Sequence, residues 1–162
     1  MPENPVPETT VPEIYVDADA CPVKAEVERV ADRHGLTVHI VSNGGIRPSP
    51  NPRVKTVIVA QGADAADDWI AEHIGPADIA VTADIPLAAR CLKNGATVLG
   101  TTGKPFTEQS IGIALGMREL HRHLREATPG GQTYNAGFTK QDRSQFLNAL
   151  ENAIQAIKRR AR

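Results

Sequence analysis

DIAVTADIPLAARCLKNGATVLG, residues 78–100, runs an apolar strand into an acid, then a helix, then a second apolar strand. The strand DIAVTAD ends at Asp84. Pro86 suits a first helical turn, because its missing amide would be unpaired there anyway. IPLAARCLKNG then reads as a helix closed by Gly95, and ATVLG as the next strand. A strand, a crossover helix and a strand make a β-α-β unit, which implies parallel strands joined by a right-handed crossover.

The same rhythm extends in both directions. IYV at 14–16 is a strand, after which Pro22 permits a helix in which Val23, Val27, Val30 and Ala31 recur at helical spacing until Gly35. LTVHIVS at 36–42 and VKTVIVA at 54–60 are β-rich runs, separated by the Gly/Pro loop NGGIRPSPNPR. QGADAADDWIAEHIG at 61–75 is a short helix with Ala66, Trp69, Ile70 and Ile74 on its inward stripe and Gly75-Pro76 as its stop. Residues 107–126 and 139–159 are two longer helical patterns joined by TPGGQTYNAG. The fold class expected is α/β, with a mainly parallel central sheet of about five strands and helices on both faces.

Composition agrees. Hydrophobic residues make up 41% of the 162 residues but aromatics only 4%, so the core must be built from Val, Ile, Leu and Ala, as in a parallel sheet buried on both faces. Residues 1–12, rich in proline and acids, read as a disordered leader before a single domain at 13–162. No stretch approaches the roughly 20 apolar residues of a membrane span. Cys21 and Cys91 lack paired spacing, which suits a reducing cytoplasm. The net charge of −1 is unevenly placed, with RELHRHLR at 118–125 and KRRAR at the end.

In a parallel sheet, ligands bind beyond the carboxyl ends of the strands. Asp17 and Asp19 follow the first strand in VDADACP, and Asp84 follows another. Asp64 and Asp67, three apart in the first turns after VKTVIVA, share a helix face near the same edge. Carboxylates gathered so closely raise one another's pKa values unless a cation neutralises them. Oxygen ligands without a cysteine or histidine pair favour a hard ion, Mg²⁺ or Mn²⁺. Each acid also has a purely local explanation: Asp64 and Asp84 can cap helices. One cap does not explain both Asp17 and Asp19. Cys21 reads as a small buried residue, and the five histidines, which show no ligand spacing, as solvated side chains.

Five motifs, VDADACPV, NGGIRPSP, GADAADDWI, VTADIPLAARCLKNGA and FTKQDRSQFLNALE, together resemble the bacterial YaiI/YqxD family from Ile14 to about Ile157. That family is similar in its acidic layout to PIN-like domains, metal-dependent ribonucleases of three-layer architecture. The resemblance implies a cytoplasmic nuclease with Asp17, Asp84, Asp64 and Asp67 as catalytic metal ligands, Asp19 assisting, and RNA as the polymer. Arg47, Arg53 and Arg143 are candidate phosphate contacts, although for Asp142 and Arg143 a structural ion pair is favoured over a backbone contact. Two alternatives stand beside it. Asp-x-Asp after a strand is also the nucleophile and acid/base pair of haloacid-dehalogenase-like phosphatases, although Cys21, Pro22 and Val23 do not continue that pattern. The other is a non-catalytic PIN-like module that binds nucleic acid or protein.

Overall fold

The computed structural model describes residues 11–19, 21–44, 46–60, 62, 64–127 and 138–160. Most of the leader and the loop TPGGQTYNAG, with Ala161 and Arg162, lie outside the described residues.

Among the described residues, five strands, β1 (Ile14–Asp17), β2 (Val38–Ser42), β3 (Val54–Ile58), β4 (Ile79–Val81) and β5 (Thr97–Leu99), form one sheet in the order β3-β2-β1-β4-β5. Every pairing is parallel, with Ile14 opposite both Val38 and Ile79, and Ile79 opposite Thr97. Five helices, α1 (Lys24–His34), α2 (Ala65–His73), α3 (Ile85–Lys93), α4 (Glu108–Ala127) and α5 (Lys140–Arg160), complete the fold. The expected α/β fold is present, and all of the sheet is parallel.

Side chains alternate across the sheet and feed two cores. Ile14, Val16, Val38, Ile40, Ile79 and Val81 face one side, where Val27, Val30 and Ala31 of α1 meet Phe146, Leu150, Ile154 and Ile157 of α5. Tyr15, Val41, Ala80 and Val98 face the other, against Ala66 and Ile70 of α2 and Leu87, Ala88 and Cys91 of α3. Ile111 carries α4 into this second core. The result is a helix–sheet–helix sandwich. Gly35 ends α1 in the left-handed conformation at φ 69°, its amide reaching the carbonyls of Ala31 and Asp32, as its position after the last periodic residue predicts. Among the described residues, no helix is long and apolar enough to cross a membrane.

The strand order fixes where a ligand can enter. From β1 the chain winds outward through β2 to β3, then returns through α2 to β4 on the opposite side of β1. The connections therefore diverge between β1 and β4, and the crevice at their carboxyl ends is the topological switch point. Asp17 and Asp84 flank it.

Candidate metal centre

Asp17 is the last residue of β1, partly buried, with the backbone continuing in the ladder through Ala18, whose amide donates to Val41. One strand over, Thr82 extends β4 by donating its amide to the Leu99 carbonyl. Thr82 is only 1% exposed, and its hydroxyl joins the two acids. It donates to Asp17 Oδ2 at 3.0 Å and accepts from the Asp84 amide at 2.9 Å. Asp84 in turn caps α3, its Oδ1 accepting from the Leu87 amide at 2.9 Å with proline in the first turn. Asp84 is thus a helix cap that also lines the cleft described next.

Asp67 enters from the first turn of α2. Together Asp17, Asp19, Asp67 and Asp84 line a cleft of about 250 Å³, with Cys21 and Thr101 completing its wall. Burial pushes the Asp67 carboxyl up to about 6, helped by the charges of Asp84, Asp17 and Asp64 and opposed by Arg90. Asp17 is also raised, first by burial and then by Asp19 and Asp84, while the Thr82 hydrogen bond pulls it back. Four acids from three separate segments therefore meet at the switch point and repel one another. Among the described residues, no group of three or more His, Cys, Asp and Glu side chains is arranged to hold a metal ion as it stands. The donor set nevertheless fits a hard divalent cation, because it is all oxygen and carries unneutralised charge.

Other expected residues fall elsewhere. Asp64 precedes α2 with no side-chain cap bond and is exposed; it acts on the cleft through its charge but does not line it. Asp68 pairs with Arg90 at 2.7 Å on the surface. Arg53 sits at the opposite, amino edge of the sheet, where its carbonyl accepts from the Val38 amide as β2 begins. Arg143 donates to the Pro22 carbonyl at 3.0 Å and to Glu26 at 3.1 Å, and lies 4.9 Å over the Phe138 ring. It fastens α5 to the start of α1, so the structural role holds and the partner is Glu26, not Asp142. Asp142 instead forms a reciprocal cap with Thr139, each side chain accepting from the other's amide at 3.0 Å. Arg47 is exposed and lines a second groove, not the acid cleft.

Cys21 is buried, as expected, and burial pushes its thiol up, which disfavours a nucleophilic thiolate. Two histidines depart from the solvated reading. His34 lies between Glu151 and Lys158, each at 2.9 Å, and His39 stacks on Tyr15 with ring centres 4.6 Å apart. Thr82 and Thr101 escape the sequence reading. The only sequence signal for Thr82 is its place two residues before Asp84, in line with the cap hydrogen bond it receives.

The comparisons with known proteins agree with the motifs. The chain is 62% identical over 150 residues to a UPF0178 protein of Parvibaculum lavamentivorans, covering 91% of this chain and 97% of that one. It is 61% identical over 150 residues to a UPF0178 protein of Rhodospirillum rubrum, with 91% and 98% covered. A UPF0178 protein of Agrobacterium fabrum is 53% identical over 159 residues, which span 98% of this chain and 99% of the relative. No solved structure matches the chain. Residues 15–156 match the family described as uncharacterised YaiI/YqxD, and the chain belongs to that YaiI/YqxD family.

Proposed function

We propose that the chain is a divalent-metal-dependent phosphodiesterase acting on nucleic acid, RNA foremost, with Asp17, Asp67 and Asp84 as the principal ligands of Mg²⁺ or Mn²⁺. The observation that carries this reading is the convergence of four acids from β1, α2 and the β4–α3 turn on one cleft at the switch point. A divalent ion held there supplies an activated water and stabilises the leaving oxygen of a phosphodiester.

The protein's own groups have separable tasks in that chemistry. Thr82 fixes the Asp17 carboxylate by donating to its Oδ2. The α3 cap holds Asp84 in one rotamer through Leu87. Asp67, raised to about 6 by burial and its neighbouring acids, is a group whose ionised form a bound cation would favour. Asp19, exposed at the mouth, is placed to orient a water or add a ligand. Asp64 adds negative potential from the rim.

Calorimetric titration of Mn²⁺ and Mg²⁺ tests the reading, with Asp17→Asn and Asp84→Asn beside the unmodified protein. Asparagine keeps the cap at position 84 and removes only the charge. Binding abolished or weakened at least tenfold in both variants, with Mn²⁺-dependent cleavage of single-stranded RNA abolished alongside, is the expected result. Absence of binding to the unmodified protein at millimolar metal defeats it. Firm RNA binding without cleavage favours the non-catalytic module.

A further inference from the structure

Next to the acid cleft, a second groove of about 440 Å³ opens between α1 and the loop at 43–53. Its volume lies within the range of roughly 300–1,000 Å³ typical of small-ligand sites. Ile40 and Thr56, register partners on β2 and β3, form the floor, and Ile46 adds an apolar wall. Lys24 and Arg47 line the groove, and the side chain of neither makes an ion pair or hydrogen bond with a described residue. Glu28 also lines it, but its Oε1 is engaged by the Ser49 hydroxyl at 2.9 Å. Two such cations against the one carboxylate, beside the apolar side chains of Ile40 and Ile46, suit an anion that carries a ring or sugar body. A bare inorganic anion would leave that floor unused.

The two clefts are neighbours. Cys21 walls the acid cleft and Lys24 the groove, and three residues of chain reach at most about 11 Å. The Lys24 charge is near enough to act on the Cys21 thiol, pulling it down against burial. A polymer crossing the acid cleft therefore meets Lys24 within a nucleotide or two.

We propose that the groove holds the nucleotide flanking the scissile phosphodiester of a single-stranded nucleic acid, with Lys24 and Arg47 on its phosphate and Ile40 and Ile46 against its ring. This rests on the phosphodiesterase reading, which it deepens by naming where the polymer continues.

The test measures a fluorescent single-stranded hexaribonucleotide by anisotropy across a salt series, using unmodified protein, the double variant Lys24→Gln/Arg47→Gln, and the charge-keeping Arg47→Lys. Hydrolysis of bis(4-nitrophenyl) phosphate by the unmodified protein with Mn²⁺ is followed in parallel, because that small diester needs only the acid cleft. The double variant is expected to bind the hexamer at least tenfold more weakly, with the slope of log affinity against log salt reduced by about 0.7, as for one phosphate left without its cations. Arg47→Lys is expected to keep most of the affinity and slope. Equal affinity and slope in the double variant overturn the groove assignment, as does failure of the unmodified protein to bind the hexamer, even where the small diester is hydrolysed. Failure to hydrolyse the small diester defeats the phosphodiesterase reading, and the groove's role in it falls too.

Discussion

Thr82 uses one hydroxyl for two partners, donating to Asp17 and accepting from the Asp84 amide, while itself almost fully buried. Thr82→Val keeps the shape and removes both bonds, leaving a carboxylate without its donor and an amide without its acceptor. We expect a loss of about 1–3 kcal/mol in urea unfolding and a fall of about tenfold in Mn²⁺ affinity by calorimetry, as when an outer-shell partner of a metal ligand is removed. Asp67 offers a test of its buried, repelled charge that needs no metal. Its carboxyl rises from the usual 3.8 to about 6 on folding, so between those values the folded chain holds a proton that the unfolded chain has released. Stability conferred by that difference falls as pH rises through the window. Asp67→Asn in chelator should therefore melt higher than the unmodified protein at pH 7.5, with the gap closing by about pH 4; an equal gap at both would show that ionisation of Asp67 is not the cause. The acids themselves were legible in the sequence because aspartate is disfavoured in and around strands, so each demanded an explanation. Thr82 was not legible, since threonine at a strand end satisfies β propensity and raises no question.

Among elements, the loop between β5 and α4 does more than connect. Gly103 sits there at φ 91°, and a Cβ on it would lie 2.7 Å from the Gln145 carbonyl oxygen of α5. Gly103→Ala should cost about 1–3 kcal/mol in equilibrium unfolding, from backbone strain and from the shift forced on α5. Thr101, two residues before, lines the acid cleft, so the same variant should also weaken Mn²⁺ binding modestly. Helix starts and stops were readable where proline and glycine mark them, as at Pro86 and Gly35. Pairing between elements was not. The loop at 43–53 leaves the carboxyl edge after β2 and returns to the amino edge before β3, separating Arg47 from Arg53 although six positions apart they read as one basic patch. Arg143 faced the same difficulty, since its partner Glu26 lies 117 residues away and no local spacing announces it.

At the scale of the molecule, alternation of strands and helices predicts a parallel sheet, but only the order β3-β2-β1-β4-β5 sets β1 against β4 and brings Asp17 to Asp84. A cation bound only by the folded chain should stabilise the whole of it. At a hundred times its dissociation constant the gain is about 2.7 kcal/mol, which for this size corresponds to a rise of roughly 5–10 °C in melting temperature. Mn²⁺ is expected to produce that rise at pH 7.5 in the unmodified protein and not in Asp17→Asn, as read by scanning calorimetry.

Phe146, Leu150, Ile154 and Ile157 of α5 close over a face of the sheet built wholly from earlier residues. On the ribosome, then, all five strands are made before their second cover exists. Elongation at about 5–20 residues per second puts seconds between β5 and the end of α5. During that interval Val16, Ile79, Val81 and Leu99 have α1 but not α5 over them, and a chain ending before α5 is expected to expose that apolar face.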